Sequence, residues 1–178
     1  MKNLNLQHLS RPEAFQTTIS KKVRSKALKI SRDLRGNILD VGCGNGLFLL
    51  EWYTSFGDQS KAFGTDYDFE ALKEAKLIFI DNNLSSEVFI LGNAFNLPFP
   101  SDSFNNVLCL NTLINIHPFK NIETLIKELH RVCKKNGKII FDFRNIQNPI
   151  LKIKYIRNSL TGRLTLSLIH ISEPTRPL

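Results

Sequence analysis

Seven consecutive residues, Asp40-Val41-Gly42-Cys43-Gly44-Asn45-Gly46, carry the strongest chemical signal in the chain. They fall between a short apolar run and a helical pattern that starts at Leu47. Glycines in such a place let the backbone turn sharply and approach a ligand closely. The helix start beyond them presents N–H groups with no intrahelical partner. One use of this turn is to cradle the pyrophosphate of a dinucleotide. That use takes G-x-G-x-x-G, the third glycine allowing close helix–strand packing. Here Leu47 stands at the third position. Asp40 also sits badly beside a pyrophosphate, because two anions repel. A carboxylate there suits a ligand that carries an ammonium and a sulfonium.

The elements that must position these residues follow from pattern. Residues 37–41, NILDV, read as a short buried strand and residues 47–56 as a helix. A second strand is expected over 61–66, a helix over 69–80 with Leu72, Ala75, Leu77 and Phe79 apolar, and a third strand over 87–91. Residues 96–102, NLPFPSD, form a loop held extended by two prolines. A fourth strand spans 104–110. A helix spans 122–133 with Leu125, Ile126, Leu129 and Val132 inward. Asn136-Gly137 is a turn, and a fifth strand spans 138–143. A further helix is expected over 150–160. Strands alternating with helices predict an α/β domain with a parallel sheet and right-handed crossovers.

Upstream, Ser10-Arg11-Pro12-Glu13 has the form of a capping box. Phe15, Ile19, Val23, Ala27, Ile30 and Leu34 then make one apolar stripe, with Lys21, Lys22, Lys26 and Lys29 off it. Such a helix either lies on a membrane surface or packs on its own domain, and packing is the favoured reading. Residues 1–35 therefore read as an N-terminal amphipathic helix region.

Composition sets further bounds. The chain has 178 residues, which suits one domain, and 42 % hydrophobic content, which supports a core. No run of ~18 uncharged apolar residues exists, so no transmembrane helix is expected. The opening MKNLNLQHLSRPE has no apolar core of about 7–15 residues, so no secretory signal is expected. Cys43, Cys109 and Cys133 form no C-x-x-C pair, which argues against a disulfide framework or a cysteine zinc site and suits a reducing cytoplasm. The net charge is +8, unevenly spread. Residues 1–35 hold nine Lys/Arg against two acids, residues 36–119 three against ten, and residues 144–163 five against none. Solvated helix faces account for this more simply than a polyanionic partner. No aromatic-studded basic strand supports a single-strand nucleic-acid platform.

Taken in order, several stretches resemble the class I S-adenosylmethionine-dependent methyltransferases, and more narrowly the quinone-biosynthesis-type methyltransferase domain. They are ILDVGCGNG at 38–46, GTDYDFEALKEA at 64–75, GNAFNLPFPSDSFNNVLCLNTLINI at 92–116 and ELHRVCKKNGKIIF at 128–141. The resemblance covers about residues 36–144. It implies a Rossmann-like open sheet, mainly parallel, in strand order 3-2-1-4-5 with helices on both faces. It implies S-adenosyl-L-methionine as cofactor and a small-molecule methyl acceptor. It also implies roles. Asp40 and the backbone of Gly42, Cys43 and Gly44, in the turn that Gly46 completes, would hold the amino-acid end of the cofactor. Asp66 would accept both ribose hydroxyls in a bidentate, charge-assisted arrangement. Its place, about twenty residues past the glycines, fits that geometry on its own. Tyr67 would pack against the adenine, Asn93 would bond its amino group, and Ala94 would offer backbone contact. Asn111 would face the methionine portion and the methyl group. Each role has a plainer alternative: a helix cap for Asp66, a turn for Asn93, a surface aromatic for Tyr67, a small residue in a tight turn for Cys43.

Since this cofactor brings its own leaving group, alignment of the reactants is the main task, and a general base is needed only for a protonated nucleophile. His117, just after the fourth strand, is the candidate base; a loop histidine fixed by Pro118 is the plainer reading. Ile114 and Asn115 stand where many relatives show an acid–histidine pair, which puts a catalytic role there in doubt. Asn111-Thr112-Leu113-Ile114 replaces the Asp/Asn-Pro-Pro-Tyr run of amino-methylating nucleic-acid enzymes, so nucleic acid is disfavoured. The basic flanks suggest an anionic or amphipathic acceptor and leave room for peripheral membrane contact. A cofactor-binding module without turnover is the competing class, and a nicotinamide oxidoreductase is the third.

Residues 166–176, LSLIHISEPTR, resemble the translated read-through of a sequencing adapter joined to a truncated frame. Residues 166–178 are accordingly expected to be a non-native tail. Residues 36–165 are then a methyltransferase domain lacking the last two strands of its family.

Overall fold

Buried, near-continuous apolar strands are what a parallel sheet covered on both faces requires, and ILDV at Ile38–Val41 (β1) is buried at all four positions. A computed structural model of the chain describes residues 4–9, 18–32, 36–57, 61–116 and 120–142. Strand β2 is Ala62–Asp66, β3 Phe89–Leu91, β4 Phe104–Cys109 and β5 Cys133–Phe141. They form one five-stranded sheet in the order β3-β2-β1-β4-β5. Every pairing is parallel, with Asp40 in register with Gly64 on one side and Leu108 on the other. The expected strand order is the one observed.

The helices are α1 (Thr18–Ser31), α2 (Leu47–Phe56), α3 (Phe69–Asp81) and α4 (Lys120–Val132). Side chains alternate along a strand, so β1 feeds two separate cores. Ile38 joins Val23, Ala27, Leu50, Ala75, Ile78, Phe79 and Phe89 beneath α1, α2 and α3. Leu39 and Val41 join Val107, Cys109, Leu125, Leu129 and Val132 beneath α4. Phe79 meets Phe89 edge-on at 4.6 Å between ring centres, tying α3 to β3.

The N-terminal helix packs on this body. Val23 and Ala27 are fully buried, Lys21, Lys22, Lys26 and Lys29 are exposed, and Arg24 Nε donates to Glu51 Oε1 of α2 at 3.0 Å. Ile30 is a correction to the expected stripe: it is exposed, and Ser31 is buried instead. The seam runs in steps of four, Val23-Ala27-Ser31, and Ile30 falls off it. The capping box at 10–13, and Phe15 and Leu34, lie outside the described residues.

The inward face of α3 and the starts of two strands were set by packing and pairing. Leu77 of α3 is exposed and Ile78 takes the inward place. In a run of four apolar residues, 77–80, periodicity does not say which faces the sheet; contact with β3 does. The expected start of the third strand is a 3-10 turn, Ser86–Val88, capped where Ser85 Oγ accepts the Glu87 N–H. The fifth strand begins at Cys133 rather than at Lys138. Phe104 pairs with Cys133 but Asn106 pairs with Lys138, so residues 134–137 bulge out of the ladder. Asn136, at φ 68°, and Gly137 make the expected turn inside that bulge. Phe143, the helix expected over 150–160 and the tail lie outside the described residues.

Candidate functional site

All strands run the same way, so their C-terminal ends share one side of the sheet, where ligands bind in open α/β folds. Asp40 is the penultimate residue of β1 there and is 2 % exposed. Its Oδ1 has no hydrogen-bond partner. Burial first, and the charge of Asp66 second, push the Asp40 carboxyl up to about 8. An orphaned, buried carboxylate oxygen is a costly thing for a fold to keep.

The glycine turn follows directly. Gly42, Gly44 and Gly46 have φ of 75°, 52° and 74°, the left-handed region where side chains are strained. A Cβ on Gly42 would meet Thr112 Oγ1 at 2.1 Å, and one on Gly46 would meet Phe89. A Cβ on Gly44 would meet nothing, so that glycine borders open space. The turn is tied to β2. Gly42 N and Cys43 N donate to Thr65 O at 2.8 and 3.1 Å, and Gly44 N donates to Asp66 Oδ2 at 2.7 Å. These three N–H groups therefore have partners inside the fold. The carbonyls of Gly42, Cys43 and Gly44 each accept one bond, from Thr112 Oγ1, Gly46 N and Cys43 Sγ, and keep a second lone pair, which suits a cationic group better than a phosphate. Cys43 is buried, and burial raises its thiol well above the ordinary value, so it stays protonated.

Asp66 is the hinge of the site. Its Oδ2 takes Gly44 N–H and its Oδ1 takes Asp68 N–H at 3.0 Å. The helix cap is Asp68 itself, whose Oδ1 accepts from Glu70 N and Ala71 N. Tyr67, next along, is 83 % exposed, with an open ring face. Asn93 closes a tight turn: its Oδ1 accepts Phe95 N–H at 2.9 Å and its carbonyl accepts Asn96 N–H at 2.9 Å. Ala94 is half-buried against the α4 side core. Asn111, at φ 56°, starts the segment after β4. His117 lies outside the described residues. Thus Asp40, the 42–46 turn and Asp66 are brought together at the C-terminal ends of β1 and β2, where open α/β sheets form their ligand crevice. Asn111 joins them through Thr112, whose hydroxyl lies 3.4 Å from Gly42 O.

Two participants have no counterpart in the sequence reading. Thr112 is packed against the glycine turn, and Asp142, just past β5 and 2 % exposed, accepts Asn111 N–H at 2.5 Å. A pattern signals Asp142 in retrospect: β1, β2 and β5 each carry an acid within one residue of their C-terminal end, Asp40, Asp66 and Asp142. A separate hollow of about 450 Å³, beside Asp102, His130, Arg131 and Lys134, lies where β4 and β5 begin; none of the candidate residues lines it.

A parallel sheet in this order, with a glycine turn after its central strand facing an acid at the end of the next, defines the class I methyltransferase architecture. The chain belongs to the methyltransferase domain family, whose model matches residues 39–141. It is similar to the demethylmenaquinone methyltransferase of Lactococcus lactis subsp. lactis (strain IL1403). That likeness is 33 % identity over 118 residues, 66 % of this chain and 46 % of that protein. The chain spans about half the length of the curated relatives it matches. Among solved structures, a SAM-dependent methyltransferase from Methanosarcina mazei is 26 % identical with a TM-score of 0.62, covering 76 % of this chain and 67 % of that one. The PH0226 protein from Pyrococcus horikoshii OT3 has a TM-score of 0.65 at 24 % identity, over 81 % and 69 % of the two chains, and shares the fold.

Proposed function

We propose that this chain binds S-adenosyl-L-methionine and transfers its methyl group to a small-molecule acceptor of quinone type. The observation that carries the reading is the Asp40 carboxylate. It is buried, it lacks a partner at Oδ1, and the Asp66 charge raises it further. An Asp40 acid that a cation would ionise, and the Asp66 carboxylate, beside a turn whose Gly42, Cys43 and Gly44 N–H groups are already bonded, fit a positively charged ligand better than a pyrophosphate. The likeness to demethylmenaquinone methyltransferases supports the quinone class. The basic runs at 1–35 and 144–163 favour an acceptor with anionic or amphipathic character.

In this reading Asp40 and the carbonyls of the Gly42–Gly44 turn hold the amino-acid end, and Asp66 takes the ribose hydroxyls on its remaining lone pairs. Tyr67, Asn93 and Ala94 flank the adenine, and Asn111 borders the methyl group. When bound, the cofactor supplies a methyl group activated by a positive sulfur. The residues of the chain then align the acceptor with it and exclude water.

The test is calorimetry of the 178-residue chain with S-adenosylmethionine, S-adenosylhomocysteine and NAD, followed by methyl transfer to reduced demethylmenaquinone. The reading expects binding of the first two, tighter for the sulfonium form, and no binding of NAD. NAD binding would overturn the cofactor; cofactor binding with no methylated quinone would overturn the acceptor class.

A further inference from the structure

The segment after β4 is fastened on two sides, to the end of β1 through Thr112 and to the residue just past β5 through Asn111. Asn111 sits in the left-handed region, φ 56°, which asparagine enters more readily than other residues that carry a side chain, and its surroundings then fix it there. What holds it is visible. Asp142, buried at the end of β5, accepts the Asn111 N–H on Oδ1 at 2.5 Å. A short bond from a backbone N–H to a carboxylate is charge-assisted and geometrically demanding. One residue on, the Thr112 hydroxyl lies 3.2–3.4 Å from the carbonyls of Leu110, Val41 and Gly42, and can donate to one of them at a time. Asn115 Nδ2 then donates back to Asn111 O at 3.3 Å, which closes the turn. Thr112 fixes the distance from this segment to the glycine turn, and Asp142 fixes its rotation. A buried carboxylate that accepts a backbone N–H of this segment is more than a hydrophobic sheet end requires.

We propose that Asp142 is a positioning residue for methyl transfer. It sets the Asn111 backbone, and with it the acceptor-side wall, over the glycine turn without itself touching cofactor or acceptor. The proposal rests on the methyltransferase reading above. It makes a distinction that reading does not: loss of Asp142 should spare cofactor binding and damage alignment.

The test uses the full chain with Asp142→Asn, which keeps an acceptor oxygen, and Asp142→Leu, which fills similar space without one. Asp142→Ala is run beside them in case leucine does not fit. Three readouts are taken: S-adenosylhomocysteine affinity, kcat and KM with reduced demethylmenaquinone, and hydrogen exchange and chemical shift of the Asn111 amide. Asp142→Leu is expected to leave the affinity within about twofold and to speed Asn111 exchange. Its kcat should fall by roughly tenfold to a hundredfold with little change in KM, the scale of a small misalignment. Asp142→Asn is expected to restore kcat and exchange protection, with the Asn111 amide proton moved upfield because its bond is no longer charge-assisted. Unchanged Asn111 exchange in Asp142→Leu, or no upfield move in Asp142→Asn, would overturn the proposal. So would affinity falling in step with kcat, or an asparagine variant as poor as the leucine one. If the wild-type chain binds no S-adenosylhomocysteine, the functional reading fails, and the Asn111 amide still decides whether Asp142 sets that turn.

Discussion

The Asp66 carboxylate accepts the Gly44 N–H at 2.7 Å, so the end of β2 and the turn after β1 are joined by one short, charge-assisted bond. The same carboxylate takes Asp68 N–H on its other oxygen, which fixes the plane it presents to the crevice. Asp66→Ala removes both. We expect S-adenosylhomocysteine affinity to fall by roughly tenfold to a hundredfold, the equivalent of about 1.5–3 kcal/mol for bonds to a charged group. Calorimetry measures it; unchanged affinity removes Asp66 from the site.

Gly42→Ala should destabilise the fold. The new Cβ meets Thr112 Oγ1 at 2.1 Å in backbone that already has φ 75°. The expected loss is about 1–3 kcal/mol in urea unfolding, the usual scale of strain and overpacking. Thr112→Ala on the same background should return part of it, because the colliding hydroxyl and methyl are gone. Additive single effects would show that the two residues do not meet.

Asp40 gives the chain a pH dependence of definite sign. Folded, the carboxyl holds its proton up to about 8; unfolded, it loses it near 3.8. Between those values the folded state binds more protons, so its contribution to stability falls as pH rises across the window and levels off above it. Asp40→Asn should remove that slope from thermal melts at pH 5 to about 8. A positively charged ligand favours the ionised acid, so its binding should release a proton and tighten with pH in the same window. Calorimetry in two buffers of different ionisation heat detects that proton. Equal heats in both would count against Asp40 as the ligand's counter-charge.

Arg131 clamps the proline loop to α4. It donates to Phe99 O at 2.8 Å, to Leu97 O at 3.0 Å and to both oxygens of Glu128, which in turn accepts Leu97 N–H at 2.7 Å. The hydrogen bond from Arg131 holds the Glu128 carboxyl below its ordinary range. Arg131→Met keeps the stem and loses the fork. We expect a loss of about 1–3 kcal/mol, since two carbonyls and a carboxylate lose donors. Amide exchange at residues 97–99 should rise more than in β1; a uniform rise would point to global destabilisation instead.

The parts of the molecule legible in the sequence are those whose cause is local. The glycine run ending an apolar strand fixed the β1–α2 junction. The spacing of Leu125, Leu129 and Val132 told which face of α4 turns inward. Ile30 misled because an apolar residue one step off the Val23–Ala27 seam gives way to Ser31, which lies on it, and in the apolar run 77–80 packing against β3, not periodicity, chooses Ile78. Thr112, Asp142 and Arg131 act across 70, 31 and 34 positions. Their roles exist only once β1, β4 and β5 are adjacent, a consequence of topology that no nearby residue announces.

Trp52 is the chain's single tryptophan and lies buried in α2, edge-on to Tyr53 and Phe56 at 5.2 and 5.7 Å. It belongs to the same core layer as Leu47, the first residue of the helix that the glycine turn launches. Its fluorescence therefore reports from one known spot. Emission should shift to the red when that layer opens to water, giving a label-free optical trace of the core beneath α1, α2 and α3 in every melt described above.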